Sequence, residues 1–128
     1  AQEALAHGYA GQHGVDAVAL RFSHVYGPGR TSECFLRDMI RAARTGGSCR
    51  IGQPAASPRQ YVHIDDVCDA IEAALFAGRT AHRVYNISAG AIHRLDEVCA
   101  EVRDVVGPFE ATFDEANFVA AYGIPELS

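Results

Sequence analysis

Two short segments of the chain place arginine, histidine and tyrosine side chains next to apolar residues. Residues 20–30 read LRFSHVYGPGR, and residues 59–67 read RQYVHIDDV. Each segment runs from a short apolar strand into a polar turn, which brings side chains to the carboxyl edge of an open α/β sheet, where small molecules bind. The two segments therefore predict a small-molecule site, and the rest of the chain must supply the strands and helices that position it.

Several other chemistries lack the residues that they need. The chain contains no lysine, which rules out a Gly-x-x-x-x-Gly-Lys phosphate loop, and no glycine-rich fingerprint follows a strand. A Gly-x-Ser-x-Gly nucleophile elbow is also absent from the sequence. The six histidines are His7, His13, His24, His63, His82 and His93. Their spacing matches no His-x-x-x-His or His–Cys ligand pattern, so we expect no metal site.

Length, composition and charge predict one soluble domain. The 128 residues, of which 48% are hydrophobic, suffice for a single globular core. Sixteen acidic residues against 11 basic ones give a net charge of −5, which argues against nucleic acid or an anionic membrane as the main partner. Because no apolar run has the length of a membrane span and no signal peptide opens the chain, we expect a cytoplasmic protein.

The four cysteines have no C-x-x-C spacing. They are Cys34, Cys49, Cys68 and Cys99. Cys68 and Cys99 fall within apolar helical patterns, where a thiol behaves as a small hydrophobic side chain. This pattern favours reduced, buried thiols over disulfides or metal ligands.

Hydrophobic periodicity and turn residues predict alternating strands and helices. The predicted strands span residues 15–21, 48–52, 61–64, 84–87 and 109–113, and the first of them reads as buried. The predicted helices span residues 1–12, 32–44, 65–78 and 95–106, with a shorter one over 115–122. We expect Thr31 or Ser32 to cap the second helix, and Asp65 or Asp66 to cap the third.

Two of these helices carry a stripe of residues that we expect to be buried. In the third helix the stripe is Val67, Ala70, Ile71, Ala74 and Leu75. In the fourth helix the stripe is Leu95, Val98, Cys99, Val102 and Val106.

The strand–helix alternation and the two polar segments resemble the extended short-chain dehydrogenase/reductase family, in its NAD-dependent epimerase/dehydratase branch. Members carry a Tyr-x-x-x-Lys pair, then Ala-x-Glu, a strand and an Arg-x-x-Asn-x-Tyr-Gly-Pro loop. Gln2 to Leu5 and Arg21 to Pro28 match the later parts of this pattern. The resemblance implies that residues 1–128 are the C-terminal half of such an enzyme, with the Tyr-x-x-x-Lys pair and the N-terminal NAD-binding portion outside the chain. The implied fold is α/β, the C-terminal part of a Rossmann-type parallel sheet with the smaller substrate-binding region.

The same resemblance implies a substrate-binding role for several side chains. Arg59 matches an arginine that binds the diphosphate of a nucleotide sugar, a task suited to a planar, always charged guanidinium, and the alternative is a surface ion pair. His24 stands where the family commonly has an asparagine that contacts the substrate, and it would either keep or lose that contact. Tyr61 and His63 alternate along one strand face, which points either to the substrate cleft or to the core.

Further implied roles concern the cofactor and the partners. Phe22 and Ser23 lie where the family has residues near the nicotinamide of NAD or NADP, whereas Tyr26 reads as a packing residue. The implied partner is a nucleotide-diphosphate sugar, and the parent enzyme is expected to be a homodimer. With the acid/base pair outside the chain, no residue here is expected to be catalytic.

The expected function is therefore the substrate-binding part of an NAD-dependent nucleotide-sugar epimerase or dehydratase, inactive by itself. One alternative keeps the fold but takes a small carbonyl or steroid-like substrate in a reductase or dehydrogenase, and Arg59 argues against it. A second alternative is a non-catalytic binding or interaction module. The intact mass of the purified chain and the upstream reading frame would separate a natural module from a truncated enzyme.

Overall fold

A computed structural model describes residues 2–117, and the chain divides into two compact units. The first unit combines Ala1–Pro28 with Tyr61–Gly90, and the second combines Gly29–Gln60 with Ala91–Ser128. In chain order, the elements are α1 (Gln2–His13), β1 (Ala19–Phe22), β2 (His24–Tyr26), α2 (Phe35–Thr45), β3 (Ser48–Ile51), β4 (Pro58–Arg59), β5 (Tyr61–His63), α3 (Ile64–Phe76), β6 (Val84–Ile87), β7 (His93–Arg94), α4 (Leu95–Val105) and β8 (Glu110–Phe113).

The first unit contains two pairs of parallel strands. β1 pairs with β6, and β2 pairs with β5. The chain leaves β5, runs through α3 and enters β6, which pairs with β1 in a separate two-stranded sheet. The backbone N–H of Ala89, just after β6, donates to the carbonyl of Tyr61 at 3.1 Å and ties the end of β6 to the start of β5.

The second unit is built around α2 and α4. β3 pairs with β8 in parallel, and β4 pairs with β7 in antiparallel orientation. Gly46 ends α2 in the left-handed conformation, with φ at 64°, and its N–H donates to the carbonyl of Ala42, as the glycine pair at 46–47 predicts. The buried apolar side chains of this unit are Cys34, Met39, Ala42, Ala43, Cys49, Ile51, Leu95, Val98, Cys99, Val102 and Phe109.

The core of the first unit is small by comparison. Among its described residues, Val62 and Val67 are the buried hydrophobic ones. Seven large apolar side chains of this unit are exposed, namely Leu5, Tyr9, Val15, Phe22, Ile71, Leu75 and Phe76. The predicted stripe of the third helix is therefore wrong for Ile71 and Leu75, because α3 turns that side toward solvent.

Most predicted elements are confirmed, and the boundaries of some differ. The strand predicted over 15–21 begins only at Ala19, because residues 15–18 form no strand pairing. Its residues are half-buried or exposed, so the prediction of a buried strand is wrong. In α4 the buried stripe is confirmed except for Val106, which follows the helix and is exposed. The helix predicted over 115–122 lies mostly outside the described residues.

Both predicted helix caps are wrong. The residue before α2 is Cys34, in extended conformation and without a side-chain cap. The carbonyls of Thr31 and Ser32 instead accept hydrogen bonds from the Arg37 guanidinium, which holds this loop in place before the helix begins. His63, and not an aspartate, caps α3.

The cysteines divide into three buried thiols and one exposed thiol. Cys34, Cys49 and Cys99 are buried, and burial raises the pKa values of the Cys49 and Cys99 thiols. The Cys99 sulfur lies 3.7 Å from the Met39 sulfur. The expectation of a buried Cys68 is wrong, because this side chain lies on the solvent side of α3.

Candidate substrate site

The pairing of β2 with β5 gathers three of the predicted site residues in one cluster. The register sets His24 opposite Tyr61 and Tyr26 opposite His63. Since side chains alternate along a strand, these four rings share one face, while Val62 points to the other face and is buried. The Tyr26 ring lies 6.0 Å from the Tyr61 ring and 5.1 Å from the His63 ring, both edge-on, and His24 lies 6.0 Å from Tyr61.

His24 lies on strand β2, although its polar neighbours in the sequence indicate a loop. The three residues of β2 are too few to produce a periodic signal, and only their pairing with β5 defines them as a strand. The His24 side chain is exposed, and it belongs to the ring cluster through Tyr61. The packing role predicted for Tyr26 is confirmed by its two ring contacts.

The turn after β2 packs closely against the start of α3. Gly27 has a φ of 139°, where side chains are strained. A Cβ at this position would come within 2.5 Å of the Ile64 side chain and 3.2 Å of His63 Nε2. Only glycine allows this approach, so the turn beside the ring cluster has a defined position.

The second ring nitrogen of His63, Nδ1, contacts the start of α3. Nδ1 accepts a hydrogen bond from the backbone N–H of Asp65 at 3.3 Å and lies 3.4 Å from the Asp65 carboxylate. This hydrogen bond assigns the proton of the neutral ring to Nε2. The imidazole therefore satisfies one of the orphan N–H groups of α3 while its edge lies against Tyr26 and Gly27.

The two segments that match the Ala-x-Glu and Arg-x-x-Asn patterns are joined by an ion pair. Arg21 donates from Nε and Nη2 to the two carboxylate oxygens of Glu3, each at 2.6 Å. The Arg21 hydrogen bond holds the pKa of Glu3 below its usual value, and the carboxylate raises the pKa of Arg21. Because α1 has no buried side chain, this bidentate contact is a specific link between α1 and β1.

The two residues predicted to lie near a cofactor differ in their exposure. Phe22 ends β1 with an exposed ring. Ser23 donates its backbone N–H to the carbonyl of Ile87 at 3.1 Å, and its side-chain oxygen is buried without a hydrogen bond among the described residues.

Arg59, in the second unit, is held in a defined orientation. Its Nη1 donates to the carbonyl of Pro58 at 2.7 Å, and its Nη2 donates to the side-chain oxygen of Gln53. Its guanidinium carbon lies 5.8 Å from the centroid of the Phe35 ring, within the range of a cation–π contact. A guanidinium carries five N–H donors in a planar fork, and these contacts orient that fork.

Sequence reasoning singles out Arg59 but misses the residues that hold it. Gln53 lies in a loop six positions earlier, and Phe35 begins α2, where its spacing indicates only a core residue. Neither position carries a local signal for contact with an arginine. Only the tertiary structure brings them together.

A cavity lies elsewhere in the first unit. It has a volume of about 560 Å³ and is lined by α1 and by residues 14–19 and 78–83. None of the six predicted site residues lines it. Two of its lining residues, Arg83 and Asp16, form an ion pair. The predicted site residues therefore lie outside this cavity, in the ring cluster of the first unit, at the end of β1 and at Arg59 of the second unit.

Residues 2–117 contain neither a candidate metal centre nor a candidate membrane span. No group of three or more histidine, cysteine or carboxylate side chains is arranged to hold a metal ion in this part of the chain. None of the helices described there is long and apolar enough to cross a membrane.

Comparison with known proteins defines the family. The model of the NAD dependent epimerase/dehydratase family matches residues 1–88. The dTDP-glucose 4,6-dehydratase of Streptomyces griseus is 36% identical over 88 residues, which are 69% of this chain and 26% of that protein. A trifunctional UDP-glucose 4,6-dehydratase, epimerase and reductase of Arabidopsis thaliana is 29% identical over 78% of this chain and 15% of its own length. The chain belongs to the NAD-dependent epimerase/dehydratase family.

Solved structures agree on the fold. The dTDP-glucose 4,6-dehydratase of Bacillus anthracis, in complex with NAD, superposes with a TM-score of 0.77 at 24% identity, over 87% of this chain and 36% of that chain. MoeE5, in complex with UDP-glucuronic acid and NAD, has a TM-score of 0.71 at 28% identity, over 88% of this chain and 39% of its own. The prediction of part of a Rossmann-type α/β fold is confirmed, and the chain spans well under half the length of these relatives.

Proposed function

We propose that this chain is the substrate-binding part of an NAD-dependent nucleotide-sugar epimerase or dehydratase and that it is inactive by itself. The observation that carries the proposal is the oriented guanidinium of Arg59, in a chain of this family. A planar cation held by its neighbours suits the two parallel hydrogen bonds that a diphosphate accepts.

The names of the relatives support a nucleotide sugar as the substrate class. The 36% identical relative is a dTDP-glucose 4,6-dehydratase, and MoeE5 has been solved with UDP-glucuronic acid. In both cases the sugar is joined to a nucleoside through a diphosphate, so the group that Arg59 would bind is common to them.

The ring cluster of the first unit would also contact the substrate. His24 would donate to the substrate in the place of the family's asparagine, and Tyr61 would offer its ring beside it. His63 would contact substrate through Nε2, because Nδ1 is occupied by the cap of α3.

The proposed cofactor is NAD or NADP, bound mainly by a portion that this chain does not contain. When bound, the dinucleotide supplies hydride transfer. The exposed ring of Phe22 fits an apolar wall for the nicotinamide. Ser23 fits less well as a hydrogen-bond donor to the cofactor. Its backbone N–H donates to the carbonyl of Ile87, and its side-chain oxygen is buried, so its proposed contact with the cofactor is through packing.

The parent protein is proposed to be longer than this chain and to be a homodimer. The first unit has a small core and seven large exposed apolar side chains, a pattern typical of surfaces that another domain or subunit covers. The family's lysine must come from elsewhere, because residues 1–128 contain none.

Two variants of the intact protein test the substrate assignment. Replacing Arg59 with alanine should weaken nucleotide-sugar binding by about 1.5–3 kcal/mol, or roughly ten- to a hundredfold, because a charged hydrogen-bond donor is lost. Arg59→Lys should recover only part of the affinity. Binding is measured by calorimetry with UDP-glucose and dTDP-glucose, and the affinity for NAD should hardly change.

The matched control is Arg41→Ala, which removes an exposed arginine from α2 in the same unit. This variant should bind like the wild type. Equal sugar-nucleotide affinity in wild type and Arg59→Ala would contradict the proposal and favour the small-carbonyl alternative. Turnover of a nucleotide sugar by the isolated chain would contradict its inactivity, and micromolar NAD affinity would contradict the proposal that another portion binds the cofactor.

A further inference from the structure

The surroundings of Arg59 indicate a second functional position in the same unit. We propose that Gln53 is a positioning residue that orients the Arg59 guanidinium for the diphosphate, with Phe35 beneath it. The inference rests on the proposed function and goes beyond it, because it assigns roles to two residues that need not touch the substrate.

The hydrogen bonds fix the plane of the guanidinium. The Gln53 side chain accepts from Nη2 of Arg59, and the carbonyl of Pro58 accepts from Nη1. The two terminal nitrogens are therefore held by different groups. The Phe35 ring lies against the guanidinium and limits its movement toward that ring. Rotamer freedom that is lost on folding is not lost again on binding, and such preorganisation raises affinity.

The loop that carries Gln53 is itself anchored. The preceding strand ends at Ile51, which is fully buried. The backbone carbonyl of Gln53 accepts from the N–H of Asp114 at 3.2 Å, and the carbonyl of Gly52 accepts from the Asn117 side chain at 2.7 Å. An acceptor on a tethered backbone can define the position of a long side chain better than one on a free loop.

The chemistry of the two acceptors also matters. An amide oxygen and a backbone carbonyl are neutral, so neither cancels the positive charge of Arg59. A carboxylate at position 53 would hold the guanidinium equally well but would compete with the diphosphate for it. The identity of residue 53 should therefore affect binding through charge as well as through geometry.

The test uses two substitutions of Gln53 in the intact protein, each made with and without Arg59→Ala. Gln53→Ala removes the acceptor and should weaken UDP-glucose binding roughly two- to tenfold, the loss expected for one hydrogen bond. Gln53→Glu should weaken it more, because the added charge competes with the substrate. In the Arg59→Ala background the effect of Gln53→Ala should disappear, since a positioning residue acts only through the group it positions, whereas Gln53→Glu should keep the direct repulsion between its carboxylate and the diphosphate.

Two controls separate positioning from general damage. Gln12→Ala, at an exposed position of α1, should bind like the wild type, and each Gln53 variant should retain its melting temperature. Gln53→Asn keeps the amide but shortens the side chain, and we expect it to bind like Gln53→Ala. In turnover assays the Gln53 variants should raise KM and leave kcat unchanged.

The outcomes are distinguishable. If Arg59→Ala leaves the affinity unchanged, the proposed function is wrong. If Arg59→Ala weakens binding but Gln53→Ala does not, or if the effect of Gln53→Ala persists without Arg59, the positioning role is wrong.

Discussion

Substitutions of His63 separate the roles of its two ring nitrogens. Nδ1 caps α3, and Nε2 faces the Gly27 turn. An asparagine at position 63 offers an oxygen near the place of Nδ1, whereas a glutamine offers one near the place of Nε2. Alanine removes both. All three substitutions lose the ring contact with Tyr26, so the difference between asparagine and glutamine isolates the cap.

The expected size of the effect follows from the geometry of the cap. Loss of an N-cap costs about 0.5–2 kcal/mol. The hydrogen bond to Asp65 is long, at 3.3 Å, and the His63 side chain is 32% exposed, so the cost should lie in the lower half of this range. His63→Asn should therefore be more stable than His63→Gln by about 0.5–1 kcal/mol.

The assay is urea unfolding of the intact protein, followed by circular dichroism, with UDP-glucose affinity measured on the same preparations. If Nε2 contacts the substrate, His63→Gln should keep more affinity than His63→Asn, which reverses their order in stability. Equal free energies of unfolding for the asparagine and glutamine variants would refute the capping role. Equal affinities would refute the substrate contact.

Three further predictions concern the turn, the surface ion pair and the thiols. Gly27→Ala should cost about 2 kcal/mol of stability, because its Cβ would clash with the first residue of α3; Gly29→Ala, where no atom lies within 4 Å, should cost less, and an equal loss in urea unfolding would contradict the clash. The pKa of Glu3 is lowered in the folded state, so its contribution to stability should be present above its unfolded pKa, about 4.3, and should be lost as the pH falls through the folded value. Stability measured against pH should lose this component in Glu3→Gln, and identical pH profiles would count against the ion pair. Cys68 should react with a thiol reagent in the native state, whereas Cys99 should react only after unfolding, and labelling of both at the same rate would disprove the burial assignment.

Local sequence patterns were sufficient for most of the fold. The helices and the strands at 48–51 and 84–87 are visible from periodicity and glycine stops, because a short window contains the whole signal. The matches of Glu3 and Arg21 to the family pattern pointed to the correct fold, and the structure adds that the two side chains form an ion pair.

Features that depend on distant residues could not be predicted in this way. His24 reads as a loop residue, because β2 becomes a strand only through its pairing with β5. The apolar stripe of α3 implies burial, yet Ile71 and Leu75 have no cover among the described residues. The contact of Gln53 with Arg59 joins side chains whose positions depend on how the loop is anchored, and no spacing rule encodes it.

The measurement that tests the central claim most directly is a crystal structure of the intact protein with UDP-glucose and NAD. We expect a terminal nitrogen of Arg59 to lie about 2.7–2.9 Å from a diphosphate oxygen, the distance typical of a charge-assisted hydrogen bond. We also expect Gln53 to accept from the same guanidinium. A nucleotide sugar bound with its diphosphate away from Arg59 would show that Arg59 does not bind the substrate.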